Sequence, residues 1–155
     1  MPWLAGHITS LTSFDDVKLL DVQLNRLRRW YTDGLLLIGD AAHAMSPVGG
    51  VGINLAVQDA VAAANALAGP LRSGTLQTSD LEKVQRRRAF PTAATQRLQI
   101  FMQESVIRPA LAGKTFRSIP LVFQLLRRFP VLRRVPANLL GMGIRPEHVR
   151  TAEVR

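Results

Sequence analysis

At 155 residues, 47% hydrophobic and with a mean hydropathy of +0.09, the chain is long enough for one domain with a core and too apolar for disorder. The absence of cysteine excludes disulfides and thiolate metal sites, and three scattered histidines do not make a metal centre. A net charge of +9, carried mostly by arginine, invites a nucleic-acid reading; the arginine clusters are interleaved with apolar residues, however, and aromatics for stacking on bases are few, so no nucleic acid is expected and the basic face is expected to be solvated or to meet a subunit.

The first residues, Met1-Pro2-Trp3-Leu4, show no basic region followed by an apolar stretch, so no secretory signal is expected. Asp40, Arg72 and the later arginine pairs interrupt the apolar regions; a spanning helix and membrane partners are therefore not expected, and the expected location is cytoplasmic. Residues 17–26 alternate, with Leu20, Val22 and Leu24 on one face and Asp21, Gln23 and Asn25 on the other, as in a half-buried strand. The first thirty residues thus read as sheet. Asp33-Gly34 signals a turn, and the apolar run Leu35-Leu36-Leu37-Ile38 suits a strand covered on both faces in an α/β sheet.

Gly39-Asp40 ends that run, and Pro47-Val48-Gly49-Gly50-Val51-Gly52 leads into a helical pattern over residues 54–71, with Leu55, Asp59, Ala63 and Leu67 at helical spacing and Gly69-Pro70 as the stop. Its abundant alanine predicts a fully buried helix that approaches its neighbours closely. Ser79 or Asp80 is expected to cap a long helix running to about Ile107, kinked at Pro91, with Leu81, Val84, Leu98, Phe101 and Met102 toward the core. Beyond Pro109 short helices are expected over residues 118–129 and 131–140. These are expected to pack across their own domain despite a basic, amphipathic pattern, before a polar, frayed tail from Pro146.

The chemistry concentrates in residues 34–59, GLLLIGDAAHAMSPVGGVGINLAVQD. An aspartate at the carboxyl end of a parallel strand lies where open α/β sheets bind ligands, so Asp40 is a candidate acceptor for ligand hydroxyls. Bare main chain at Gly49, Gly50 and Gly52 lets a flat ligand lie against the backbone, and the free amides of Gly52, Ile53 and Asn54 at the helix start favour an electron-rich edge. His43 is expected to pack or bond the backbone, without a nearby nucleophile or acid to act with, and Asp59 to cap or pair within its helix. For Asn54 a ligand contact and a helix-start contact stand equal. His7 and His148 lie in segments without ligand spacing and are expected to be solvated.

The string GDAAH followed by P-x-G-G-x-G-x-N is similar to the second FAD-contacting motif of the class A flavoprotein monooxygenases, the para-hydroxybenzoate hydroxylase type. The resemblance covers most of the chain and implies the closing part of an α/β, Rossmann-like FAD-binding domain, mostly helical with a short sheet segment at its start. It divides the chain into the end of a substrate-domain sheet (1–33), an FAD-contacting strand–turn–helix (34–72) and a helical region (73–155). It implies that Asp40 holds the ribityl chain, that Gly39 permits its approach, and that the Pro47 carbonyl faces the flavin and substrate region. By the same resemblance Gly49 and Gly52 line the isoalloxazine, and the amides of Gly52, Ile53 and Asn54 meet its pyrimidine edge. In this family NADH or NADPH reduces the flavin, and oxygen is then transferred to a small, often aromatic or polycyclic, substrate.

The sequence departs from the family in lacking the strand–G-x-G-x-x-G–helix element that holds the FAD pyrophosphate; Gly141-Met142-Gly143 lacks the third glycine and follows a helix. Also missing are the acidic residue for the adenosine ribose, the family's central Asp-Gly motif and most of the substrate sheet. The expectation is therefore a fragment of a flavin-dependent oxidoreductase, with a missing N-terminal half or a second copy of the chain as partner. Isolated, it is expected to be colourless and prone to self-association through residues 35–38. The alternatives are a non-enzymatic remnant or split subunit completed by another chain, and a basic surface-binding module.

Overall fold

The computed structural model describes residues 13–18, 23–113 and 121–151. Two helices form its body. Helix α1 (Val51–Arg72) and helix α2 (Thr78–Met102) pack along each other, and a hairpin of β1 (Tyr31–Thr32) and β2 (Leu35–Leu36) lies against them. The core where they meet contains Ala62, Leu67, Leu81 and Val84, with Tyr31, Leu36, Ala63, Ala66 and Leu76 packed around it. Leu55, Asp59 and Leu67 are buried at the expected helical spacing.

The hairpin turns at Asp33-Gly34, as expected, and pairs Tyr31 with Leu36 and Thr32 with Leu35 in antiparallel register. Two expectations fail here. The strand is short and antiparallel rather than parallel, and it is not covered on both faces, since Leu35 is 51% exposed. An apolar run shows that a strand can be covered, but the covering layer must come from other elements. The strand expected over residues 17–26 is also corrected where it can be seen. Phe14–Asp16 form a 3-10 turn, Leu20 and Val22 lie outside the described residues, and residues 23–27 run as irregular chain. That chain is tied to the site loop by the Asn25 amide on the Ala44 carbonyl (3.3 Å) and the Leu27 amide on the Ala42 carbonyl (2.9 Å).

Helix α1 begins before Asn54 and runs through Pro70 to Arg72. A proline in the last turn removes only one backbone donor, and the Ser73 amide closes the end on the Gly69 carbonyl at 3.1 Å. The alanine-rich helix is not buried all round: Ile53 and Val57 are exposed, and they share a face that opens onto a cleft. By length and composition alone residues 48–72, which contain an 18-residue stretch with a mean hydropathy of 1.3, would suffice to cross a bilayer, so the interrupting charges did not rule this out. Asp59 in the middle of the stretch is ion-paired across to α2, which places this helix as a packing partner of α2.

Helix α2 starts from a reciprocal cap at Gln77, not at Ser79: the Asp80 amide donates to the Gln77 carbonyl at 2.9 Å, and the Asp80 carboxylate accepts the Gln77 amide at 3.0 Å. The helix continues through Pro91 to Met102 and passes by a π-helical turn (Gln103–Ile107) into α3 (Arg108–Leu111). Leu81 and Val84 reach the core, Leu98 and Met102 are half-buried, and Phe101, expected inside, is 64% exposed. Helix α4 (Leu121–Arg128), a 3-10 turn (Pro130–Arg133) and α5 (Arg134–Gly141) follow; Ser118 lies outside the described residues. Leu125, Phe129, Val131 and Val135 are exposed, so the expected packing across the domain does not cover them.

The segment after α5 is not frayed over its described residues. Amides spaced along α1 hold its main chain: Asn54 donates to the Gly141 carbonyl (3.2 Å), Gln58 to Met142 (2.8 Å) and Asn65 to His148 (2.8 Å), while the Arg150 amide donates to the Asn65 side chain (2.8 Å). Glu147 is bound by Arg87 of α2. Polar composition predicts a loose tail only where nothing complements it, and here a row of amides does.

Candidate functional site

The stretch from Gly39 to the start of α1 folds back on itself. A 3-10 turn (Gly39–Ala41) closes with the Ala42 and His43 amides both donating to the Gly39 carbonyl at 2.9 Å. Gly39 sits at φ +58°, and a Cβ there would lie 3.0 Å from that of Ala56, so the turn is pressed closely onto α1 in a backbone conformation that favours glycine. A second 3-10 turn (Val48–Gly50) ends with Gly49 and Gly50 at φ +81° and +62°, two left-handed residues that swing the chain into the helix. These glycines are needed first for the turn; the bare surface follows from it.

Helix α2 holds the intervening loop by its main chain. Gln96 donates to the carbonyls of Asn25 (2.7 Å) and Ala44 (3.2 Å), and Gln99 to those of Ser46 (2.8 Å) and Val48 (3.0 Å). The glycine-rich loop is therefore anchored from behind while its front stays open.

The front forms an open cleft of about 760 Å³, lined by Asp40, Pro47, Gly50, Gly52, Ile53 and Val57 among others. The Asp40 carboxylate is exposed and has no partner among the described residues. No side chain caps the start of α1, so its first amides keep their donor capacity and the positive end of the helix. A ligand with hydroxyls at one end and a flat, electron-rich ring at the other suits this surface. Asp40, Pro47, Gly52 and Ile53 thus meet on one wall; Gly39 and Gly49 shape the backbone beside it. The Asn54 side chain lies elsewhere, on the Gly141 carbonyl.

Behind the cleft lies a buried charge cluster that sequence reasoning missed. Asp59 accepts the Gly39 amide (3.1 Å) and the His43 ring Nε2 (2.6 Å) on Oδ2, and Arg88 Nε on Oδ1 (2.8 Å). Asp59, His43 and Arg88 are all fully buried. Burial alone would raise the Asp59 carboxyl, but hydrogen bonds from His43 and Arg88, the His43 charge and the Gly39 amide outweigh it and hold the carboxyl below its usual value. Arg88 also donates to the Arg145 carbonyl at 3.1 Å, and the His43 ring packs against buried Trp30 with centroids 5.0 Å apart. The expectation that His43 has no acid nearby is thus corrected, as is a pairing of Asp59 within its own helix. Exposed His148 behaves as expected, and His7 lies outside the described residues. The one signal in the sequence was a charged residue at a core-facing position of α1.

Among the described residues no group of histidines and acids is arranged to hold a metal. Residues 3–98 match the model of the FAD binding domain family. The chain is 43% identical over 125 residues to a 6-methylpretetramide 4-monooxygenase of Streptomyces rimosus, covering 81% of this chain and 29% of that protein. It is 28% identical over 145 residues to the FAD-dependent monooxygenase atmM of Aspergillus flavus, covering 92% and 28%. A kynurenine 3-monooxygenase of Xanthomonas oryzae pv. oryzae is 60% identical over 42 residues, covering 26% of this chain and 9% of that protein. The chain therefore spans less than a third of the length of the first two relatives.

Proposed function

Because the chain belongs to the FAD binding domain family, we propose that it forms the flavin-facing turn and helix of an FAD-dependent monooxygenase. The observation that carries this reading is the cleft, where an unpartnered carboxylate and an uncapped helix start open onto the same wall. FAD, when bound, supplies the redox chemistry by which one oxygen atom is transferred to an organic substrate, with NADH or NADPH as the reductant. The residues of this chain bind and orient. Asp40 accepts hydrogen bonds from the ribityl hydroxyls, and Gly49 and Gly52 leave main chain for the ring to lie along. The amides of Gly52 and Ile53 aim the positive helix end at the pyrimidine edge, where reduction places negative charge, so the same donors that hold the ring favour its reduced form; the Asn54 amide, four residues past the N-cap Gly50, is taken by the first bond within the helix.

The Pro47 carbonyl faces the region between ring and substrate. The sequence contains no G-x-G-x-x-G turn. On this reading the pyrophosphate is held outside these 155 residues, by another part of the same polypeptide or by a partner chain. The substrate proposed is a small aromatic or polycyclic compound. Supporting this, the relative that shares 43% identity is named for oxygenation of 6-methylpretetramide.

Titration of the chain with riboflavin and with FAD, followed by quenching of flavin fluorescence, tests the reading. Both should bind weakly and alike, because the contacts lie at the flavin end. ADP should not compete. Asp40→Ala should weaken riboflavin about 10- to 100-fold, the equivalent of losing a hydrogen bond to a charged group. Competition by ADP, or an affinity indifferent to Asp40→Ala, would refute it.

A further inference from the structure

We propose that Asp59 is the positioning residue of the flavin-facing turn: its buried carboxylate grips Gly39 and His43 at once and thereby aims Asp40 into the cleft. The inference rests on the flavin reading only for what Asp40 is aimed at. Gly39 and His43 are the two ends of the turn that carries Asp40, since the His43 amide closes on the Gly39 carbonyl at 2.9 Å. Asp59 holds both ends on one oxygen, through the Gly39 amide and the His43 ring. With both ends tied to α1 and Gly39 pressed against Ala56, the turn seats Ala42 in the interior and leaves Asp40 exposed on the cleft wall.

A buried ion pair is by itself weak grounds for a role, because well-packed apolar residues often serve stability as well. No apolar side chain, however, accepts an amide and a ring N–H together. The remaining oxygen of Asp59 is taken by Arg88, which is held in turn by the Arg145 carbonyl and lies 3.7 Å from Glu147. The far face of His43 is fixed by Trp30. Both carboxylate oxygens are therefore engaged, and the turn hung from them is tied to both long helices.

Asp59→Asn, with Val84→Ala as a core variant away from the site, separates positioning from mere stability. In nitrogen-15 NMR spectra Asp59→Asn should move the Gly39 amide proton upfield and shift the signals of residues 40–43. Riboflavin affinity should fall about tenfold. Val84→Ala should lower the melting temperature and leave those signals and that affinity in place. A Gly39 amide unmoved by Asp59→Asn, or moved as much by Val84→Ala, would overturn the inference whatever the flavin result. If the Gly39 signal moves while riboflavin is indifferent to both Asp40→Ala and Asp59→Asn, the positioning of the turn stands and the flavin reading falls. Should Asp59→Asn fail to fold, the unaltered chain decides: a Gly39 amide protected from hydrogen exchange like the core of α1 supports the tie, and exchange at the rate of an open turn refutes it.

Discussion

Gly39 and Gly52 look alike in the sequence, each a glycine in the conspicuous stretch, yet they meet different physics. At Gly39 a positive φ and the Ala56 Cβ at 3.0 Å both oppose a side chain, so Gly39→Ala should cost about 1–3 kcal/mol, read as a lower urea midpoint. Gly52 is helical, with the Met45 Cβ at an ordinary 3.4 Å, so Gly52→Ala should hold or raise stability, by less than about 1 kcal/mol, as alanine favours helix. If the flavin ring lies along this main chain, Gly52→Ala should nonetheless weaken riboflavin; unaltered binding would place the ring elsewhere. Asp40 and Asp59 show a similar contrast. Asp40 was legible because its meaning lies in its neighbours, a glycine before it and an apolar run before that. The meaning of Asp59 lies in Arg88, 29 residues away, and no local pattern announces that meeting.

Among the elements, α1 was read closely because helical periodicity is local, and its cleft-facing side was misread because exposure is not. Alanine allows close packing but does not say whether a neighbour is there. Helix α2 has a second function that its pattern concealed: Gln96 and Gln99 resemble ordinary solvent-facing glutamines, yet they are buried and hold the carbonyls of the site loop. Gln99→Leu removes the donor shared by Ser46 and Val48 and should cost about 1–3 kcal/mol in chemical denaturation. Gln103→Leu, at an exposed position, should stay within about 0.5 kcal/mol. Equal effects would mean that the loop does not depend on α2.

Across the whole molecule, the Asp59 cluster joins the site turn, both long helices and the segment after α5, so its ionisation should be felt globally. The folded carboxyl lies below the ordinary aspartate value of about 3.9, so the unfolded chain binds more protons in that range. The stability it contributes is complete above that value and is lost as pH falls through the depressed folded value. Urea unfolding at a series of pH values should show this acid loss, and Asp59→Asn should flatten it. A slope equally steep in the variant would assign the acid sensitivity to other groups.

By itself the sequence determined what depends on near neighbours: the turn at Asp33-Gly34, the long helices with their core-facing residues, and the Gly-Asp and glycine-rich strings that mark the cleft. Only the tertiary structure decided that β2 stays short and open on one face, that the segment after α5 is tied down, and that Asp59 reaches Gly39, His43 and Arg88. The reason is physical. Backbone propensity and periodicity act over a few residues, whereas burial, charge pairing and the covering of a strand depend on which distant segments the fold brings together.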